Sequence, residues 1–182
     1  MDIQWVELYL FCEDESKESD ENIKYIVVAS SRGGTAKLLI NTNNIINIVC
    51  VTHANGFSEP GKSEMSQIIR SELTDLGIMV LTTTHVLSGA ERGMSRTFGG
   101  AYPVEITAHT LRMFGQGTKV CVEVAVMALD AGLIPYGEPI IAIGGTGQGA
   151  DTAIIITPSH AGSIFETKIH EIICKPWLTT TF

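Results

Sequence analysis

Short apolar runs, separated by small and polar residues, divide this chain into alternating strands and helices. The β-branched run 26–28 is typical of a buried parallel strand, and residues 65–76 carry an apolar stripe at helical spacing that ends before Gly77. The pattern predicts strands at 5–11, 23–29, 45–51, 78–82, 140–143, 152–157 and 168–173, and helices at 35–40, 64–76, 103–114 and 119–133. Strand, helix and strand in such close succession predict right-handed parallel βαβ units.

Three segments need a choice between readings. Residues 119–133 alternate partly like a strand, but their length and the Gly132 that ends them favour a buried helix. Residues 83–101 are predicted to form one long loop, and loops of that length are usually functional or disordered. Residues 13–22 are polar throughout and are predicted to be a solvated acidic linker that is mobile or only attached to the surface.

Length and composition fit a single α/β domain spanning residues 1–182. The chain has 182 residues, 45% of them hydrophobic, and 18 glycines, enough to bury a core with many tight turns. Its net charge is −8, but six of the 20 acidic residues lie in 13–21, and the rest of the chain carries 11 basic and 14 acidic residues. The sequence contains no stripe of basic residues of the kind that would predict nucleic-acid binding.

The apolar runs and cysteines predict a cytoplasmic protein. The apolar stretch 120–129 is too short to cross a bilayer and includes Glu123, and the N-terminus lacks the basic region of a signal peptide. The four cysteines show no Cys-x-x-Cys spacing and lie in or beside apolar runs, which favours reduced, mostly buried thiols. The thiol of Cys121 is expected to be inert among its apolar neighbours.

The segment 29–35 has the composition of an anion-binding turn. It is small, hydroxylated and glycine-bearing, and it leads from a buried strand into a predicted helix, whose first N–H groups have no partner inside the helix. Gly33 and Gly34 allow close approach to the backbone, and Arg32 adds positive charge. The alternative is that a serine simply caps the helix. Taken alone, the segment does not decide between the two.

A second glycine-rich segment, 144–153, also follows a hydrophobic strand and shifts the balance towards a phosphate site. Ligands of open α/β sheets bind outside the carboxyl ends of the strands. Four loops qualify by this rule: 29–35, 52–62, 83–101 and 144–151. The third brings Ser88, Gly89, Arg92 and Arg96, which are placed to close over an anion.

Other chemistries find little support in the sequence. There is no dinucleotide-binding Gly-x-Gly-x-x-Gly after the first strand, no Gly-Lys-Ser/Thr phosphate loop and no Gly-x-Ser-x-Gly elbow. His53, His85 and His160 each follow a strand, but their spacing matches no metal-ligand motif. We therefore predict hydrogen-bonding histidines and no metal site.

The motifs together are similar to those of a known family. Residues 27–36 and 144–153 resemble the two phosphate loops of the pyruvate kinase C-terminal α/β domain, and 84–92, 119–123, 127–135 and 170–174 resemble signatures of prokaryotic proteins built on that domain alone. The resemblance implies a three-layer α/β/α fold with a mostly parallel mixed sheet that includes one late antiparallel strand. The chain departs from the family in having only the acidic linker where relatives have a helix before the Val27 strand.

The resemblance also implies a phosphorylated ligand, and flavin mononucleotide (FMN) is the cofactor associated with the stand-alone proteins. A phosphate is expected between the 30–35 and 144–151 loops, held mainly by backbone N–H groups. The binding residues expected for this ligand are Ser30, Ser31, Arg32, Gly33, Gly34, Thr35, Thr52, His53, Ser88, Gly89, Arg92, Glu123, Gly145, Thr146, Gly147, Gly149, Ala150, Asp151 and Thr152.

No settled catalytic activity comes with the family, so catalytic residues stay unassigned and three functions remain open. The first is a binding protein for FMN or a similar phosphorylated small molecule. The second is an enzyme acting on a phosphorylated metabolite, with Glu123, His53 or His85 as acid–base groups. The third is a regulatory or structural module that has lost the ligand. The sequence leaves homo-oligomerisation open.

Overall fold

A computed structural model describes residues 23–40 and 46–177 of the chain. Their centre is a six-stranded sheet formed by β1 (Tyr25–Ala29), β2 (Asn47–Val51), β3 (Met79–Leu81), β4 (Ile140–Gly144), β5 (Thr152–Thr157) and β6 (Lys168–Cys174). The helices are α1 (Gly34–Leu38), α2 (Gln67–Asp75), α3 (Gly89–Phe98), α4 (Pro103–Arg112) and α5 (Gln116–Asp130), followed by a 3₁₀ helix (Ala161–Glu166). The predicted strand 5–11, the acidic segment 13–22 and residues 41–45, which include the first residue of the predicted strand 45–51, lie outside the described residues.

The sheet has the order β3-β2-β1-β4-β5-β6. The strands β3, β2, β1 and β4 run parallel, and β5 is antiparallel to both of its neighbours. The mixed sheet with one late antiparallel strand is therefore confirmed.

Two hydrophobic clusters, one on each face of the sheet, produce three layers. Successive side chains of a strand point to opposite faces, so Ile26 and Val28 pack with α1 and α2, while Val27 packs with α5. Every residue of α5 from Cys121 to Leu129 is buried, as expected for a helix across the middle of a sheet. The predicted buried helix and the three-layer α/β/α fold are both confirmed.

The prediction of one long loop at 83–101 was wrong, because α3 occupies residues 89–98 of this segment. This helix buries none of its residues. It therefore has no core-facing apolar stripe, the main signal by which a helix is found in a sequence.

Two helix starts also differ from the sequence-based expectation. The cap of α2 is Ser66, whose hydroxyl accepts a hydrogen bond from the N–H of Ile69 at 3.3 Å, so the helix begins at Gln67, three residues after its predicted start at 64. The start of α5 lies at Gln116, and Gly117 is part of its first turn. The end of α2 was placed correctly: Gly77 follows it with φ +83°.

Candidate functional site

The candidate site lies at the edge of the sheet where the parallel strands end. Because β5 runs in the opposite direction, its first residue, Thr152, lies at the same edge beside Gly144. From β1 the chain passes through α1 to β2 on one side, whereas β4 lies on the other side and is reached through α5 on the opposite face. The gap between the ends of β1 and β4 is thus a topological switch point, where open α/β sheets bind ligands.

The 30–35 loop, which leaves β1, is held from behind. The N-cap of α1 is Gly33, which has no side chain to cap the helix, but the buried hydroxyl of Ser30 accepts a hydrogen bond from the N–H of Ala36 in the first turn at 3.4 Å. Gly33 has φ +83°, and a Cβ at this position would lie 2.6 Å from Cγ2 of Ile69. By contrast, a Cβ at Gly34 would meet no atom within 4 Å. The free space of this loop is therefore at Gly34.

The 145–151 loop joins β4 to β5 and is stabilised by hydrogen bonds to the carboxylate of Asp151. The Asp151 carboxylate accepts the N–H of Thr146 at 3.0 Å and the hydroxyl of Thr152 at 2.6 Å. This N–H, expected to be open to a phosphate, is thus already bonded to a carboxylate, and buried Thr152 supports the loop. Among the described residues, the N–H groups of Gly147 and Gly149 have no acceptor.

The first turn of α5 packs directly on this loop, and only glycines fit at the contact. A Cβ at Gly117 would lie 2.0 Å from Oγ1 of Thr152, and one at Gly144 would lie 2.6 Å from the carbonyl oxygen of Gly117. A Cβ at Gly145 would lie 2.3 Å from the carbonyl oxygen of Gly149. The course of the backbone here is consequently fixed by close packing.

A network of polar side chains connects the 30–35 loop with the loop after β2. Arg32 forms an ion pair with Glu64 at 3.7 Å, and the other carboxylate oxygen of Glu64 is 2.5 Å from Nδ1 of His53. The hydrogen bond from His53 is the main reason why the pKa of Glu64 is lowered. Phe57 stacks on the His53 ring with the centroids 3.9 Å apart. Neither Glu64 nor Phe57 was a predicted site residue.

The same polar network extends to the segment after β3. The rings of His53 and His85 are 5.5 Å apart, so two histidines from neighbouring loops meet as the carboxyl-end rule predicts. The pKa of His85 is lowered, mainly by burial and further by the charges of His53 and Lys119, against the opposing effect of Glu123. Thr52, between β2 and His53, is buried and lies 2.6 Å, oxygen to oxygen, from Thr82.

Glu123 and Lys119 form a buried ion pair one turn apart on α5. The second carboxylate oxygen of Glu123 accepts the N–H of Leu87 at 2.9 Å, which ties the segment after β3 to this helix. Burial lowers the pKa of Lys119, and the charges of Arg112 and Arg92 lower it further. Glu123 was predicted as a site residue, whereas Lys119 was missed, although its i,i+4 spacing from Glu123 was a signal.

The remaining predicted residues lie at the start of α3. Gly89 is the first residue of this helix, and a Cβ there would be 2.7 Å from the methyl group of Thr84. Ser88 makes no capping hydrogen bond through its side chain, and Arg92 is exposed. His160 was considered together with His53 and His85, but it pairs with Asp130 at 2.7 Å and stacks parallel to Tyr136.

A cavity of about 410 Å³ lies on the α5 side of the sheet, apart from both glycine-bearing loops. Its walls are residues 83–86, the first turn of α3, Val104 of α4, and Met127, Asp130 and Ala131 at the end of α5. His85 belongs to this wall, and its ring also lies 5.5 Å from the ring of His53 in the polar network. None of the lining residues comes from the 30–35 or 145–151 loop.

Fold and site together define an open three-layer α/β domain with two glycine-bearing loops at the switch point of its sheet. Residues 16–156 match the family model described as the pyruvate kinase, alpha/beta domain, so the chain belongs to this family. The resemblance deduced from the motifs is thereby confirmed. None of the described helices combines the length and the apolar character needed to cross a bilayer.

Proposed function

We propose that the chain binds a phosphorylated small molecule, of which FMN is the first to test, between the 30–35 and 145–151 loops. The observation that carries this proposal is the position of the two loops, which leave the adjacent strands β1 and β4 at the switch point. Space above Gly34 and the N–H groups of Gly147 and Gly149 are available to an anion there.

Two further features support an anion at this place. Arg32 is exposed on the first loop, so its guanidinium can bind a ligand in addition to its ion pair with Glu64. Ser31 is half-buried and forms no hydrogen bond with another described residue, so its hydroxyl is available as a donor. The Asp151 carboxylate opposes a phosphate, and we expect it to keep its present bonds while the ligand uses the outer part of the loop.

The test is calorimetric titration of FMN into the wild-type protein and three variants. Ser31→Ala removes one hydroxyl donor and should weaken binding by about tenfold. Gly34→Val should weaken it more, because the new side chain fills the space that the phosphate needs. Gly162→Val is the matched control, since its site also has no atom within 4 Å and no positive φ.

The Gly34 variant is a clean probe because the protein itself has room for the side chain. Thermal unfolding should therefore give nearly the same melting temperature for Gly34→Val and the wild type. If the wild type binds FMN and all three variants bind it equally well, the phosphate is bound elsewhere. If the wild type does not bind FMN, the same titration with other phosphorylated metabolites decides whether the site accepts the class at all.

An enzyme acting on a phosphorylated metabolite is the second candidate, and the meeting of His53 with His85 favours it. The pair is linked through Glu64 to Arg32 of the proposed phosphate loop. The lowered pKa of His85 favours the neutral imidazole, which has a ring nitrogen free to accept a proton. Phosphorus NMR of a metabolite mixture, incubated with wild type or His85→Gln, tests this function: a product formed only by the wild type supports it.

A further inference from the structure

The cavity beside α5 has a chemistry different from that of the glycine-bearing loops. Its apolar walls include Val86, Val104 and Met127, and its volume of about 410 Å³ is in the range of small-molecule pockets. Glu91 and Asp130 also line it, and no lysine or arginine is among its lining residues. A phosphate would meet two carboxylates there and no cation.

Glu91 is the carboxylate with bonding capacity left. One of its oxygens accepts the N–H of Glu105 at 3.2 Å, and the other has no partner among the described residues. Asp130 is already engaged, since it pairs with His160 at 2.7 Å and accepts the N–H of Ala161. The histidine in the wall is His85, whose pKa is lowered mainly by burial, so its charged form is disfavoured.

We propose that this cavity is a second binding site, and that it takes a small organic cation with an apolar body. The apolar part would contact Met127 and Val104, and the cationic group would donate to the unpaired oxygen of Glu91. An amine suits this place because it is a donor that carries positive charge. The site does not depend on whether the glycine-bearing loops bind a phosphate.

Tryptamine and indole-3-acetate are suitable probes, because they share an indole ring and carry opposite charges. In calorimetric titrations at pH 7 we expect tryptamine to bind at least about tenfold more tightly than indole-3-acetate. Glu91→Gln should weaken tryptamine binding by about tenfold, while its amide oxygen can still accept the N–H of Glu105. Glu138→Gln makes the same change of charge at an exposed residue outside the cavity and should have no effect.

A second pair of variants tests the place of binding separately from the charge. Ala90→Trp puts a large side chain into the cavity wall on α3 and should abolish tryptamine binding. Thr97→Trp puts the same side chain on the exposed surface of that helix, away from the cavity, and should not. Near-ultraviolet circular dichroism of the wild type and both variants checks that they are folded.

Several outcomes would overturn the proposal. Absence of tryptamine binding, equal binding of the two probes, or undiminished binding by folded Ala90→Trp would each do so. Displacement of tryptamine by FMN would show that the cavity belongs to the phosphate site. FMN binding that is weakened by Gly34→Val and unchanged by Ala90→Trp, with tryptamine binding showing the reverse, would establish two separate sites.

Discussion

At the scale of single residues, the buried ion pair of Lys119 and Glu123 should make the loss of either charge alone costly. Both side chains are about one-twentieth exposed, and Lys119→Met would leave a buried carboxylate with only the Leu87 N–H as partner. We expect this change to lower the free energy of unfolding by about 3–5 kcal/mol. Urea denaturation followed by circular dichroism measures it.

A double variant separates the ion pair from packing. Lys119→Met with Glu123→Gln removes both charges and keeps an acceptor for the N–H of Leu87, so most of the lost stability should return. If the double variant is as unstable as Lys119→Met, the loss comes from packing of the lysine stem rather than from an uncompensated charge.

His85 should make the protein less stable as the pH falls. Burial lowers its pKa below the usual 6.5, so in the region below pH 6.5 the unfolded chain binds more protons at this site than the folded protein. The stability is therefore complete above pH 6.5 and decreases as the solution is acidified. Urea midpoints measured between pH 7.5 and 5 should show a smaller decrease for His85→Gln than for the wild type.

The lowered pKa of Glu64 acts in the same direction but in a more acidic range. Its contribution is present above its usual 4.5 and is lost as the pH falls through the folded-state value. If the urea midpoints of the wild type and of His85→Gln fall equally between pH 7.5 and 5, the pH dependence in this range comes from groups other than His85.

The sequence predicted which residue types gather at the site better than it predicted their bonds. Thr52 and His53 could be placed at the carboxyl edge from the sequence, because the hydrophobic run of β2 shows where that strand ends. Glu64 was missed because its partners, Arg32 and His53, come from loops whose approach depends on the folded sheet. For the same reason the sequence did not reveal that Asp151 would take an N–H of its own loop.

At the scale of elements, the contact of α5 with the loop between β4 and β5 reverses an ordinary rule. Replacing a helical glycine by alanine usually stabilises a protein by about 0.5–1 kcal/mol. At Gly117 the new methyl group would lie 2.0 Å from Thr152, so we expect Gly117→Ala to destabilise by about 1–3 kcal/mol through overpacking.

Gly93 on α3 is the matched control, because a Cβ there meets no atom within 4 Å and the residue has no positive φ. Gly93→Ala should therefore stabilise the protein, and the two substitutions should shift the urea midpoint in opposite directions. Shifts of the same sign would contradict the glycine-only contact at Gly117.

Elements buried in the core were the ones that the sequence identified. The alternating valines of α5 are buried on every side of the helix, so its length and its ending were better guides than its periodicity. For α3 the apolar pattern was no guide, because the helix has no buried residue and includes Gly93. The start of α2 was predicted too early, because the sequence pattern before the helix does not show that Ser66 is its cap.

At the scale of the whole molecule, protection from hydrogen exchange should decrease from the centre of the sheet to its edge. All residues of β4 are buried, whereas most of β6 is exposed, and within residues 23–40 and 46–177 β6 pairs with β5 alone. We expect amides of β1 and β4 to exchange only on global unfolding and those of β6 through local opening. Exchange measured by mass spectrometry would contradict this if β6 were as well protected as β4.

The family membership leads to an expectation about activity. Resemblance to the kinases implies that their chemistry takes place in a barrel, which needs about 250 residues, and the match here is to the α/β domain. We therefore expect no ATP from phosphoenolpyruvate and ADP with this 182-residue chain. A coupled assay that detects ATP formation, and loses it with heat-denatured protein, would contradict this expectation.

The reversal of direction at β5 also bears on how the molecule assembles. The 145–151 loop closes a hairpin between strands that follow one another in the chain, so it can form early and locally. The 30–35 loop joins it only when Ile26 pairs with Ile141 across most of the sequence. A ligand held between the two loops would therefore bind only after β1 and β4 have paired. If FMN is that ligand, the quenching of its fluorescence during refolding would measure when this long-range pairing forms.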